Sequence, residues 1–140
     1  MLSVCFHSGR AWEQNQWSFL FSNFGVVDIF EVGRDANHSK IYQTTTPLAE
    51  LRDLPVSRSS VLMQPKTARY IPGLVSLVDF THPDDAIYIF GHSHENISAE
   101  DFDKPPEHIV YIPTDAHEMY GHVAGYITLY DRMIKRGGFG

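Results

Sequence analysis

The 140 residues carry 11 lysines and arginines against 17 aspartates and glutamates, a formal net charge of -6. That length accommodates one domain around a single core, and 43% hydrophobic with 20% charged residues is the balance of a soluble globular protein. The acidic balance argues against broad, nonspecific nucleic-acid binding, and no run approaches the roughly 18 to 20 apolar residues of a membrane span, so a cytoplasmic location is expected.

The opening segment, MLSVCFHSGR, holds a first apolar run, LSVCF (2–6), and turns polar within a few positions, unlike a secretory signal. Cys5 is the only cysteine, which excludes an internal disulfide, and its apolar neighbours point to a buried thiol. Residues 11–24, AWEQNQWSFLFSNF, place Trp17, Leu20, Phe21 and Phe24 at helical spacing, with Gly25 as a stop. A second strand is expected at VVDIFEV (26–32). The polar segment 33–59 holds Pro47 and Pro55 around a short expected helix, PLAELRDL (47–54), and reads as a long connection within one domain.

Further strands are expected at SVLMQ (60–64), AIYIF (86–90) and HIVYI (108–112). The last element is a helix within HEMYGHVAGYITLYDRMIKRGG. There Met119, Val123, Ile127, Tyr130 and Ile134 recur at helical spacing, Asp115 offers a cap, and Gly137 and Gly138 an end. Tyr126, Leu129 and Met133 form a second apolar row. The helix is therefore read either as buried on two faces in the monomer or, with the aromatic-rich first helix, as a homodimer contact.

Several of these runs are apolar almost throughout, as in strands covered on both faces. Their alternation with helices implies one α/β domain over residues 1–140, a parallel sheet of about five strands with flanking helices and right-handed crossovers. Two basic groups stand out against the acidic background: Arg58, Lys66 and Arg69, and Arg132, Lys135 and Arg136. The second group also suits the end of a helix, where cations favour the dipole.

The segment IYIFGHSHEN (87–96) carries the densest chemical signal. Two histidines, His92 and His94, follow a buried strand and Gly91. Imidazole is a good transition-metal ligand, and a strand followed by GHSH resembles the last metal-binding motif of calcineurin-like metallophosphoesterases. That family's other ligands come as Asp-x-His, Gly-Asp and Gly-Asn-His, and none of these occurs upstream. A zinc site drawn from His92, His94, His117 and His122 would lack thiolates and a tight ligand pair elsewhere. The alternative is a ligand loop, because glycine after a buried strand lets the backbone approach a small molecule closely, and α/β sheets bind beyond the carboxyl ends of their strands. Three such ends carry suitable loops: MQPKT (63–67), GHSHEN (91–96) and IPTDAHEMYG (112–121).

The ordered set SLVDFTHPDDAIYIFGHSHENIS, HIVYIPTD and HVAGYITLYDRM resembles the C-terminal half of SPOUT-superfamily RNA methyltransferases of the SpoU or TrmH-like branch. It does so through Gly91, Ile112-Pro113, Ala124-Gly125 and Tyr130-Asp131-Arg132. The resemblance covers residues 76–133 well, 1–32 more faintly, and 33–59 hardly at all. It implies a C-terminal trefoil knot, a homodimer, S-adenosylmethionine held by backbone groups, and tRNA or rRNA as substrate. By position, the cofactor loops then contain Met63, Gln64, Gly91, His92, Ile112, Pro113, Met119, Tyr120 and Gly121. There are departures. The position of the family's helix arginine is Phe19, leaving Arg10 as the nearest substitute. The glutamate expected two residues after the loop glycine is Ser93, with Glu95 two further on. The family's Ser-Leu-Asn triplet is Glu118-Met119-Tyr120. Arg10 and Glu95 are accordingly the expected catalytic residues, with a binding protein that has lost catalysis as the alternative and the GHSH phosphoesterase as a second.

Overall fold

The computed structural model describes residues 2–7, 11–32, 45–55, 59–64, 73–91, 101–114, 119 and 121–137, with the side chains of 11–14 excepted. Apolar runs that alternate with helices must cover both faces of a sheet, and the described chain does this with seven strands and two helices. The strands are β1 (Leu2–His7), β2 (Asp28–Val32), β3 (Thr46–Leu48), β4 (Ser59–Gln64), β5 (Leu74–Ser76), β6 (Ala86–Phe90) and β7 (His108–Tyr111); the helices are α1 (Ala11–Phe24) and α2 (Gly121–Lys135). They form one sheet in the order β3-β2-β1-β6-β4-β7-β5, and each pair is parallel.

All five expected strands are present, with β2 and β7 slightly shorter than expected. Two more, β3 and β5, extend the edges of the sheet. Each has only three residues, too short to show an apolar run, and Pro47 in β3 is tolerated because an edge strand leaves one row of donors unused. The expected helix at 47–54 is corrected. Its first residues pair with β2, and only Leu51–Asp53 coil, as a 3₁₀ turn. The Glu50 amide donates to Asp53 Oδ2 at 3.1 Å at the start of that turn, and Leu54 ends it in an extended conformation. The sheet order seats β7 between β4 and β5. The threading of a knot depends on connections 65–72, 92–100 and 115–118, which lie outside the described residues, as do Arg58, Lys66, Arg69 and Asp115.

One face of the sheet is covered by both helices. Trp17, Leu20 and Phe21 of α1 are buried against Val4, Phe6 and Phe90, and the Phe6 and Trp17 rings stack with centroids 4.9 Å apart. Gly25 ends α1 at φ +64, a left-handed conformation that glycine adopts without strain. Leu51, Leu54 and Phe102 cover Cys5, Leu62, Ile87 and Ile89 on the opposite face. Burial pushes the Cys5 thiol well above its ordinary pKa, so it packs as a small apolar side chain. No helix among the described residues is long and apolar enough to cross a membrane.

Of the two readings of α2, burial of both apolar faces within the monomer is corrected. The stripe with the most regular apolar spacing is the exposed one: Val123, Ile127, Tyr130 and Ile134 are 37–51% accessible. The buried face is formed by His122, Gly125, Thr128 and Leu129, with Leu129 coming from the second apolar row and Tyr126 of that row packed against the core. Small residues sit there because α2 lies close on α1. A Cβ on Gly125 would come within 2.6 Å of Leu20 Cδ1 and 3.0 Å of the Trp17 ring.

The basic residues at the end of α2 bind the fold's own carbonyls and carboxylates. Lys135 Nζ donates to the carbonyls of Leu77 (2.5 Å), Val78 (3.2 Å) and Phe80 (2.9 Å) and pairs with Asp131 at 3.0 Å. Arg132 donates to the carbonyls of Pro83 and Asp84, and Arg136 pairs with Asp84, which holds that exposed carboxyl below its ordinary pKa. Beneath them His82, with a fully buried side chain, lies 2.7 Å from Tyr88 Oη through Nδ1 and 2.7 Å from Asp131 Oδ2 through Nε2. The directions follow from the ends of the chain. Asp131 can only accept, so Nε2–H donates to it. Nδ1 then accepts from the Tyr88 hydroxyl. Lys135→Met leaves the carbonyls of Leu77, Val78 and Phe80 without their ammonium and is expected to cost about 2 kcal/mol of unfolding free energy, read by urea denaturation.

Candidate functional site

In an all-parallel sheet every strand ends on the same side, so the loops after the strands converge there. Register sets which ends are level. Met63 lies opposite Phe90, and Gln64 opposite Tyr111, so β6, β4 and β7 finish side by side. Gly91, Gln64 and Ile112 are therefore neighbours at the ends of three adjacent strands. Met63, Gln64 and Ile112 are buried, Gly91 is half-buried and Pro113 is exposed. Met63, Phe90 and Ile112 belong to the main core, and Met119 packs against it. The result is an apolar floor ringed by the backbone of three strand ends.

The first turn of α2 closes over this floor. A Cβ on Gly121 would stand 2.7 Å from the Gly91 carbonyl oxygen and 3.2 Å from the Trp17 ring. The obstacle is backbone, which cannot swing aside, so glycine is required for α2 to begin there. Gly121 and Gly125, one turn apart, thus seat the helix on Gly91 and Trp17. That pair was visible in YGHVAGY, where two glycines at i and i+4 share a helix face. His122, the second residue of α2, is buried beside this contact.

The structure thus brings Met63, Gln64, Gly91, Ile112, Met119 and Gly121 to one end of the sheet, with Pro113 at its rim. His92 and Tyr120, and the expected catalytic residues Arg10 and Glu95, lie outside the described residues, as do His94 and His117. Among the described residues no group of three or more histidine, cysteine, aspartate or glutamate side chains is placed to hold a metal. Phe19, at the position of the resembled family's arginine, is 62% exposed, so its side chain packs in no core. The cluster that sequence reasoning missed is Tyr88, His82 and Asp131. Its members are 6 and 49 residues from His82 along the chain, and no local spacing marks them as partners.

No family model matches the sequence, and no curated protein does. Solved structures do match. The chain superposes on the SpoU methyltransferase AviRb from Streptomyces viridochromogenes in complex with AdoMet at a TM-score of 0.75 and 14% identity, covering 99% of this chain and 61% of that one. An AdoMet-bound rRNA methyltransferase from Sinorhizobium meliloti gives a TM-score of 0.75 at 12% identity, with 95% of this chain and 56% of that one covered. The TrmH/SpoU tRNA modifying enzyme of A. aeolicus gives 0.72 at 16% identity, over 99% of this chain and 77% of that one. The fold is therefore the one shared by SpoU and TrmH-type proteins. For several of these structures, the chain spans less than two thirds of the other protein's length.

Gly121→Ala adds helix propensity of up to about 1 kcal/mol but drives a methyl group into the Gly91 carbonyl. The expected net outcome is a loss of roughly 1–2 kcal/mol in denaturant unfolding, with a changed near-ultraviolet dichroism from Trp17.

Proposed function

We propose that the chain is an S-adenosylmethionine-dependent methyltransferase acting on RNA, with tRNA or rRNA as the substrate class, and that it works as a homodimer. The observation that carries this reading is the convergence of the ends of β4, β6 and β7 at Gln64, Gly91 and Ile112, with the first turn of α2 seated on Gly91, in a fold whose solved examples include AdoMet complexes. The donor set fits the cofactor. An adenine ring needs an apolar bed and backbone polar groups at its edge, and Met63, Ile112 and Met119 offer the first while the three strand ends offer the second. Met63, Gln64, Gly91, His92, Ile112, Pro113, Met119, Tyr120 and Gly121 would hold it. A site built on backbone groups would tolerate low sequence identity.

When bound, S-adenosylmethionine supplies an electrophilic methyl group, and transfer to a ribose hydroxyl releases that hydroxyl's proton. The protein's part is to position the acceptor and help remove the proton. Arg10, three residues past β1, and Glu95, five past β6, are the proposed catalytic residues, because β1 and β6 are neighbouring strands. The replacement of the expected helix arginine by Phe19 favours one second reading, a protein of this fold that binds the cofactor without transferring its methyl group.

The homodimer is supported by α2. Val123, Ile127, Tyr130 and Ile134 form a continuous apolar stripe on a helix whose opposite face is already buried. A contiguous exposed stripe of this kind marks an interaction surface, and a second copy of the same helix offers a matching one.

Calorimetric titration with S-adenosylmethionine is expected to show binding in the micromolar range, roughly -8 kcal/mol, abolished by Gly91→Trp in a protein that keeps its far-ultraviolet dichroism. Transfer of labelled methyl groups to bulk tRNA or rRNA is expected to fall on the order of 100-fold in Arg10→Ala and Glu95→Gln with cofactor binding retained. Binding without transfer in the wild type identifies the second reading, and no binding overturns both. Ile127→Glu is expected to convert a dimer to a folded monomer in sedimentation.

A further inference from the structure

The chain Tyr88–His82–Asp131–Lys135 lies at the opposite end of α2 from the candidate site. The helix starts on the Gly91 carbonyl at the carboxyl ends of the strands and finishes beside His82, just before β6 begins. The same strand, β6, carries Tyr88 at one end of this span and leads into Gly91 at the other. Helix and strand are thus joined twice, once by close glycine contact and once through a buried imidazole. We propose that His82, together with Tyr88 and Asp131, is a positioning residue for the cofactor site. In this role the neutral imidazole latches α2 to β6, so that the first turn of α2 is held over Gly91, and protonation loosens the latch.

The neutral ring satisfies both of its nitrogens and the Tyr88 proton with one set of directions. Tyr88 donates to Nδ1 and Nε2–H to Asp131, which also accepts from Lys135. A second proton, on Nδ1, turns that atom into a donor facing the Tyr88 hydroxyl, which must then turn its own proton away. The Tyr88 proton then has no acceptor in the chain, and a buried polar hydrogen without one is costly. The groups facing His82 are Tyr88 on β6, and Asp131, Arg132 and Lys135 on α2. Phe80 packs edge-on against it at a centroid distance of 5.1 Å, and against His108 at the start of β7. Burial is the largest influence and lowers the His82 pKa from 6.5; Asp131 opposes it, and Lys135 and Arg132 act with burial. The Tyr88 hydroxyl, pushed up to about 12, stays protonated throughout.

The sign follows. The latched state has the lower pKa and the released state the ordinary one, so the latch is fully effective above pH 6.5 and weakens as pH falls below it. The limit is about tenfold per pH unit in the latch equilibrium. The inference rests on the proposed cofactor site, so the test reads α2 and the cofactor separately.

A Trp12→Phe background leaves Trp17, which touches Gly121 and Gly125, as the sole tryptophan. Its near-ultraviolet dichroism, and the affinity for S-adenosylmethionine, would be followed from pH 8 to pH 5. The expected result is a one-proton change in the Trp17 signal below pH 6.5, with about tenfold weaker cofactor binding at the acid end. Asp131→Asn removes the carboxylate that favours the cation and is expected to move the transition to lower pH. Tyr88→Phe removes the hydroxyl that opposes Nδ1 protonation and is expected to move it higher. His82→Gln is expected to abolish it. Opposite shifts in two folded variants are something a merely structural contact would not produce. They also read the latch should His82→Gln fail to fold, and His82→Gln excludes titration of His122. A flat Trp17 signal in folded wild type, or a transition unmoved in Asp131→Asn and Tyr88→Phe, overturns the proposal. A His82-dependent Trp17 transition with no cofactor binding at any pH sustains the latch and sinks the proposed function instead.

Discussion

The contact between α2 and the end of β6 is the constraint on which the rest of the architecture depends. Two glycines, Gly121 and Gly125, bring the helix to within van der Waals reach of the Gly91 carbonyl and the Trp17 ring. Trp17 cannot yield, because it is held in an aromatic cluster with Phe6, Phe21 and Phe90. Packed interiors transmit such constraints rather than absorbing them. The position of α2 therefore fixes the height of its first turn above the three strand ends, and that height shapes the candidate site.

The two ends of α2 are secured by different physics. At its start the helix is fitted by shape, with backbone against backbone and no side chain to adjust. At its finish it is tied by charge: Lys135, Arg132 and Arg136 reach carbonyls and carboxylates in the segment 77–84, and His82 bridges Tyr88 and Asp131. Charge-assisted hydrogen bonds are stronger than neutral ones, most of all where they are partly buried, as at Lys135 with the Leu77 and Phe80 carbonyls. An acidic chain thus places three of its cations on its own carbonyls and carboxylates.

How much could be read along the chain depended on how local each signal was. The five long strands were legible because each is an apolar run covered on both faces. The edge strands β3 and β5 were not, since three residues carry no period and edge strands need no apolar run. The last helix was legible as a helix with two apolar rows, but which row meets the core was not. Helical spacing identifies an apolar stripe and does not say which side of it meets the core. Here Val123, Ile127, Tyr130 and Ile134 face outward, while a stripe of His122, Gly125, Thr128 and Leu129, weakly apolar by composition, faces in.

For the candidate site, the glycine loop after β6, the Ile112-Pro113 end and the glycines of α2 stand out in sequence, because backbone approach demands particular residues at particular places. Those residue types, and the apolar runs that define the strands, are what the sequence by itself determined. Tertiary structure alone decided three things: that the strand ends at Gln64, Gly91 and Ile112 converge, that Phe19 lies in the open, and that His82 meets Tyr88 and Asp131. Strand register and helix docking set these distances, and both arise from contacts between residues far apart in the chain, which no local pattern encodes.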